Sequence, residues 1–287
     1  MHPRGLKEGP MEQGTRWLPR VTAPVILAVI LLGGWELVVR SGSISESFLP
    51  APSHLVLRFR DELAHGDLLN YAGTTLVEAL YGTLIAVLIA VPLGYLIARI
   101  HWVDLAVTPY VTASQAIPAV AVAPLLALWL GYGMFPIALL CAVVAFFPML
   151  ITTALGVRHL PKDVLEAARL DGAGWWQSLV WVEAPLAMPS VLAGVRAGIA
   201  LSVTGAVVGE FTMGGEGLGL LLTVFRDAND TEGMFATLIM LAGMAVLLFT
   251  VIRVAEAAAG MRTRLRARER HQDPVPDDDL QPIGDAA

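Results

Sequence analysis

Between two strongly apolar stretches, residues 157 to 189 hold an unusual density of charge: Arg158, Lys162, Asp163, Glu166, Arg169 and Asp171. Asp163 is a residue type that caps helix N-termini, and Glu166 follows at the three-residue spacing of a capping box. Gly172 supplies the left-handed position that ends a short helix. Trp175, Trp176 and Leu179 then share a face of a second helical run, which Pro185 and Pro189 are expected to stop. Two short helices around a glycine elbow are more than a bare connection needs. Such a hairpin either packs on its own protein or presents itself to a partner, and spacing alone leaves both open.

Groupings that perform catalysis are missing. The only lysines are Lys7 and Lys162, neither after a glycine, and no G-x-x-x-x-G-K-[ST] phosphate loop occurs. The six histidines, at 2, 54, 65, 101, 159 and 271, never fall three or four apart, and HExxH, CxxC and GxSxG are absent. Cys141 is the single cysteine, so no internal disulfide forms. No catalytic residue, metal or cofactor is expected, and nothing points to nucleic acid as a partner. The remaining polar groups sit in apolar surroundings. Glu78 lies one turn from the end of an apolar run, where it snorkels, is buried by packing or serves a functional role. Ser114, Gln115 and Pro118 make a polar, proline-broken patch, and Ser202 and Thr204 add hydroxyls elsewhere. These five are candidate walls of a translocation pathway, with helix packing as the competing reading.

The elements that must position these residues are membrane spans. The chain of 287 residues is 56% hydrophobic and only 15% charged, with a mean hydropathy of +0.66; a soluble domain carries about 25% charged residues. Six stretches reach the roughly 20 apolar residues a span needs: Val21–Val39, Thr75–Ala98, Leu105–Leu130, Met134–Leu155, Ser190–Gly209 and Met234–Ala255. The expected fold is therefore all-α, a polytopic membrane helix bundle of six spans. The first run is too long for a signal segment and reads as an uncleaved span. Pro109, Pro118 and Pro124 make the third span a kinked helix. In the fifth, Ala193/Ala197, Gly194/Gly198 and Gly205/Gly209 are small residues four apart, which predicts close helix contact within the protomer or across a dimer. The external segment from Ser53 to about Ala64 reads as a surface helix.

Charge sets the orientation. With the N-terminus inside, the outer segments hold only Arg40, Arg58, Arg60 and Arg226, while most of the 19 Lys and Arg, those of the hairpin included, lie inside. Both termini and the hairpin are thus expected in the cytoplasm. Residues 1–20 form a polar lead-in, 21–256 the membrane domain and 257–287 a tail, basic and attracted to anionic lipid, then acidic and disordered. No internal repeat supports an inverted-repeat carrier. A helix bundle with no engine of its own and a structured inner hairpin favours a channel-forming subunit driven by a docked partner.

Glu166-Ala167-Ala168, then Gly172, then Val182-x-x-Pro185 resembles the EAA signature of bacterial ABC importer permeases, EAA-x3-G-x9-I-x-L-P. Val182 and Ala184 stand where the signature has Ile and Leu. FLPAPS at 48–53, PLGYLIAR at 92–99, IPAVAVAPLLALWLGYG at 117–133, FFPMLITTALGVR at 146–158 and GEFTMGGEGLGLLL at 209–222 are similar to the nitrate/sulfonate/taurine branch. The resemblance spans about residues 25–258 and implies a type I importer permease fold. It implies a non-catalytic subunit of the bacterial inner membrane, coupled through Asp163, Glu166, Ala167, Ala168, Arg169, Gly172 and Pro185 to two copies of a cytoplasmic ATPase. A second permease copy and an extracytoplasmic solute-binding protein complete the implied assembly, which works by alternating access. For substrate, SQAIP at 114–118 with GEF at 209–211 resembles permeases for thiamine-pyrimidine or riboflavin-like heterocycles, with sulfonates, taurine and nitrate close by. VEAPLAMPSVLAGVR is also similar to osmoprotectant (glycine betaine/choline) permeases. An ATP-independent channel or secondary carrier is the competing class.

Overall fold

A computed structural model describes residues 18–270. The lead-in up to residue 17 and the acidic tail from residue 271 lie outside the described residues. Eleven α-helices and one π-turn account for the ordered elements among the described residues, with no strand. In order they are α1 Leu18–Arg40, α2 Pro52–His65, α3 Leu68–Arg99, α4 His101–Ser114, α5 Ala119–Leu130 and α6 Met134–Arg158. There follow α7 Lys162–Leu170, α8 Trp175–Ser178, the π-turn Leu179–Glu183, α9 Ala184–Met213, α10 Leu218–Asp227 and α11 Thr231–Arg270. Among the described residues, four continuous runs are long and apolar enough to cross a membrane: α3, α6, the run Trp175–Met213 and Thr231–Val254 of α11. The α4–α5 pair meets the same test only when its two halves are taken together. The first of the six expected spans falls within α1, a helix of 23 residues.

The third expected span differs most from its prediction. It is two helices meeting at 98°, a broken span or a re-entrant loop, where the sequence predicts one kinked helix. Pro118 has no N–H to continue the ladder and disfavours the helical region for Ile117, so α4 ends at Ser114 and a new helix begins at Ala119. The other end of the chain departs in the opposite sense. The backbone of α11 stays helical through Arg270, past Ala255 and across the basic run expected to begin the tail.

The chain forms two compact units. One joins residues up to Leu69 with Leu221–Met240. In it the Glu36 carboxylate accepts from the Ser53 hydroxyl at 2.8 Å, the Ser53 N–H at 3.1 Å and Arg40 Nε at 2.6 Å, so a side chain of α1 satisfies an open donor at the start of α2. Arg58 of α2 reaches Asp230 at 2.8 Å and Glu62 at 3.0 Å and lies over the Phe225 ring, and Trp35 packs on Phe235. The surface helix expected from Ser53 to about Ala64 is found as α2.

The larger unit, Asn70–Leu220 with Leu241 onward, is built on α6 and α9. Their contact follows the small residues. Gly194 lies against Thr152 and Met149, Gly198 against Met149 and Ala145, Gly205 against Cys141 and Gly209 against Ile137. Rising numbers on α9 meet falling numbers on α6, so the helices run antiparallel. At Gly194 and Gly198 a Cβ would overlap the facing side chain, and the closeness depends on glycine. The small-residue spacing of the fifth span therefore builds contact within the protomer. α6 also meets α3, through Ala86, Ala90 and Ile97 against Ala142, Ala145, Met149 and Leu150.

Candidate functional site

The hairpin leaves α6 at Arg158 and returns through α9. Its root is a small apolar cluster in which Leu165 of α7 is buried with Val157, Leu160 and Ala187, flanked by Tyr95, Ala98 and Val182. Leu165 is the one buried residue of α7. The nine-residue helix thus lies with one edge on the membrane domain and the rest outward.

The spacing from the Glu166-Ala167-Ala168 run to Gly172 has a direct backbone reason. Gly172 has φ +83°, its N–H donates to the Arg169 carbonyl at 3.0 Å, and the Ala173 N–H donates to the Ala168 carbonyl at 3.0 Å. Those two bonds are a Schellman cap, which needs a residue at ease in the left-handed region at this position. Arg169 stands in the last turn and Asp163 in the first, each where the helix dipole favours its sign.

Two expectations about the hairpin are corrected. The N-cap of α7 is Pro161, not Asp163, and no side chain caps the helix; proline's preset backbone starts the turn, and Asp163 falls two positions too far in to cap it. Nor do Pro185 and Pro189 stop the second helix. Pro185 stands within the first two positions of α9 and Pro189 inside it, and α8, the π-turn and α9 run on as one helical rod, Trp175–Met213. In the π-turn the Ala184 N–H reaches back five residues to the Leu179 carbonyl. That wider turn accommodates the ring of Pro185, which would otherwise press on the preceding turn.

Glu166, Ala167, Arg169, Gly172 and Pro185 are exposed, and Ala168 is half-buried. Apolar side chains stand beside them: Leu170 is 89% exposed, Trp175 70% and Trp176 64%, the two indoles 5.8 Å apart. The Gln177 side-chain amide oxygen accepts the Gly174 N–H at 3.0 Å and fixes the start of α8. A cleft of about 300 Å³ opens at the hairpin root, lined by Thr152, Leu155, Gly156, His159, Ser190 and Ala193.

The five candidate pathway residues sit in different settings. Ser114 and Gln115 bond back to the Val111 carbonyl at 3.0 and 3.4 Å, at the break between α4 and α5, and Pro118 caps α5. Thr204 is exposed and bonds to its own helix at Ala200. Ser202 is buried and donates to the Ala79 carbonyl at 2.7 Å, so its hydroxyl fastens α9 to α3 and is not open to a pathway.

Two constellations escaped the sequence. Glu183, 7% exposed, receives Arg99 Nη2 at 2.7 Å, Arg99 Nε at 3.0 Å and the Tyr95 hydroxyl at 3.0 Å on Oε2, and the Ser178 hydroxyl at 3.3 Å on Oε1. Tyr95 and Arg99 lie more than 80 residues away, beyond the reach of spacing. Glu78 and Glu210 are both fully buried with their carboxyls together, and the Gly219 N–H donates to Glu210. The glycines of GGEGLG permit that. A Cβ at Gly217 or Gly219 would strike Glu210. The glycine-rich run was the available signal for this pair; Glu183 had none.

Residues 90–264 match the family described as binding-protein-dependent transport system inner membrane component. The riboflavin transport system permease protein RibX of Chloroflexus aurantiacus is 41% identical over 87% of this chain and 90% of its own length. The formylaminopyrimidine transport permease protein ThiX of Halalkalibacterium halodurans is 30% identical, over 81% of this chain and 92% of its own. Among solved structures, the inward-facing MetNI methionine ABC transporter superposes with a TM-score of 0.60 at 19% identity, covering 66% of this chain and 95% of that one, which shows the shared type I importer permease fold. The chain belongs to the binding-protein-dependent transport system inner membrane component family and is a multi-pass membrane permease subunit of an ABC importer.

Proposed function

We propose that the hairpin seats on a cytoplasmic ATPase and that the chain moves a small planar heterocycle inward by alternating access. Exposed Leu170, Trp175 and Trp176 on a rod rooted by Leu165 carry the reading. An apolar patch beside Glu166 and Arg169 is costly in water and suits a partner groove. ATP binding and hydrolysis occur on the partner, since this chain has no phosphate loop. The hairpin and both termini then lie in the cytoplasm, in line with the basic residues gathered on that side, and the membrane is the bacterial inner membrane. Two permease copies with two ATPases, and a solute-binding protein on the outer face, complete the assembly. Residues 262–270 hold the inner leaflet through anionic lipid.

Each ligand drives the cycle only through its different affinity for the two access states. The substrate class rests on the riboflavin relative at 41% identity and the formylaminopyrimidine relative at 30%. Tagged permease is co-expressed with its partner ATPase, and co-purification is measured. Leu170→Asp combined with Trp175→Ala is expected to lower recovery of the ATPase at least tenfold, about 1.4 kcal/mol or more. Unchanged recovery refutes the docking surface. Binding of riboflavin, formylaminopyrimidine and taurine to the partner binding protein, by calorimetry, tests the substrate class; taurine alone binding refutes it.

A further inference from the structure

Both stalks of the hairpin hold one corner of the membrane domain, the junction of α3 and α4. On the returning stalk, Glu183 binds Arg99 and Tyr95 at the end of α3. On the outgoing stalk, Arg158 at the end of α6 binds Asp104 at the start of α4 at 2.6 Å and reaches the Ile97 carbonyl at 3.5 Å. We propose that these two ion pairs clamp the hairpin and the α3–α4 corner into a single rigid body, with Glu183 and Arg158 as positioning residues. A displacement at the hairpin is thereby delivered to the broken α4–α5 span. The inference rests on the docking reading and adds to it where the force goes.

The case begins with a weakness. The π-turn joins hairpin to α9 through wider, less regular hydrogen bonding and borders Pro185, the ingredients of a flexible joint. A rod pushed at α7 would bend there, and motion would be lost before reaching any span. Glu183 closes that joint. Its Oε1 takes the Ser178 hydroxyl from before the π-turn and its Oε2 takes three donors from α3, so one carboxylate bridges the turn and fastens it sideways. Stability alone gives little reason for such a group, since a buried ion pair is often no better than packed apolar residues. Its distinctive capacity is to hold one geometry. Arg158 supplies the second point of attachment, and two separated points prevent the hairpin from swivelling about either.

The corner leads directly into α4 and then to the 98° break. Rigid from hairpin to corner, the chain next yields at Gln115–Pro118, so the movement is concentrated where the span is already interrupted.

The test uses the full complex with its ATPase, reconstituted in lipid. Cys141 is replaced by Ala, and spin labels are placed at Asp171 on the hairpin and at Trp102, 79% exposed, on α4. Labelled permease is diluted with unlabelled permease so that each complex carries one labelled copy, and the distance between labels is measured without nucleotide and with ATP plus vanadate. The expected result is one narrow distribution, the same in both states. Glu183→Gln with Arg158→Gln is expected to broaden it and make it differ between states, while the ATPase still co-purifies. Tyr95→Phe, a milder change that removes one of the bonds, is expected to broaden it less. The double variant Arg99→Glu/Glu183→Arg is expected to narrow it again relative to Glu183→Arg. A native distance that changes with nucleotide, or Gln variants as narrow as the native protein, overturns the clamp. Failure of the docking reading appears separately, as retained ATPase in the Leu170→Asp/Trp175→Ala complex.

Discussion

Asp163 stands in the first turn of α7, so truncating it removes a favourable charge near the helix start and no cap. Asp163→Ala is expected to cost under about 0.5 kcal/mol in thermal unfolding of the detergent-solubilised protein. Gly172→Ala, at φ +83°, is expected to cost about 1 kcal/mol or more, because an L side chain is forced into the left-handed region. The contrast separates what spacing conveyed from what it did not. Gly172 was legible because few other residues end a helix in this way. Asp163 was misplaced because Ser, Thr, Asp and Asn are common caps and Pro161 offered a different start. Glu183 was illegible in principle. It reads as one more residue of an apolar stretch, and only folding brings Tyr95 and Arg99 to it.

Among elements, α6 and α9 show how a small-residue pattern acquires a partner. The spacing announces close approach, and the facing side chains Met149, Thr152 and Cys141 decide that the partner is in the same chain. Gly198→Leu is expected to destabilise the protein by about 1–3 kcal/mol, since the new side chain meets Met149 with no space to relax into. A lowered midpoint in thermal unfolding in detergent checks this, and an unchanged midpoint shows the contact to be loose. Spans with long apolar runs and no central break (α3, α6, α9 and α11) were readable from composition. The α4–α5 break was half readable. Pro118 marks its position, but an angle of 98° depends on what the two halves pack against, as does the choice between a kink and a broken pair.

For the whole molecule, the proposed docking makes transport conditional on a partner ATPase. Purified permease alone in liposomes is expected to show no uptake of riboflavin above protein-free liposomes, and uptake is expected to appear only with the ATPase, ATP and the binding protein together. Flux through the permease alone supports a channel or secondary carrier instead. The family and the fold were legible at this scale because the EAA spacing and the alternation of apolar runs survive many substitutions. The division into two units was not, since residues 221–240 join α2 across a long stretch of sequence.

The π-turn, finally, is a matter of angular phase. A π-turn holds one residue more than an α-helical turn, and each residue of an α-helix advances its azimuth by about 100°. The direction in which the hairpin leaves α9 is therefore set by a single surplus residue at Leu179–Glu183. Deleting Val180 would let the rod close into a regular α-helix and turn the hairpin about the α9 axis by about 100°. Leu165 would then leave its apolar root and Ser178 would leave Glu183. The expected outcome is a permease that still inserts and folds in the membrane yet fails to retain its ATPase, read by comparing membrane yield with co-purification. The surplus residue acts as a clock setting: one count fewer, and the docking face points the wrong way.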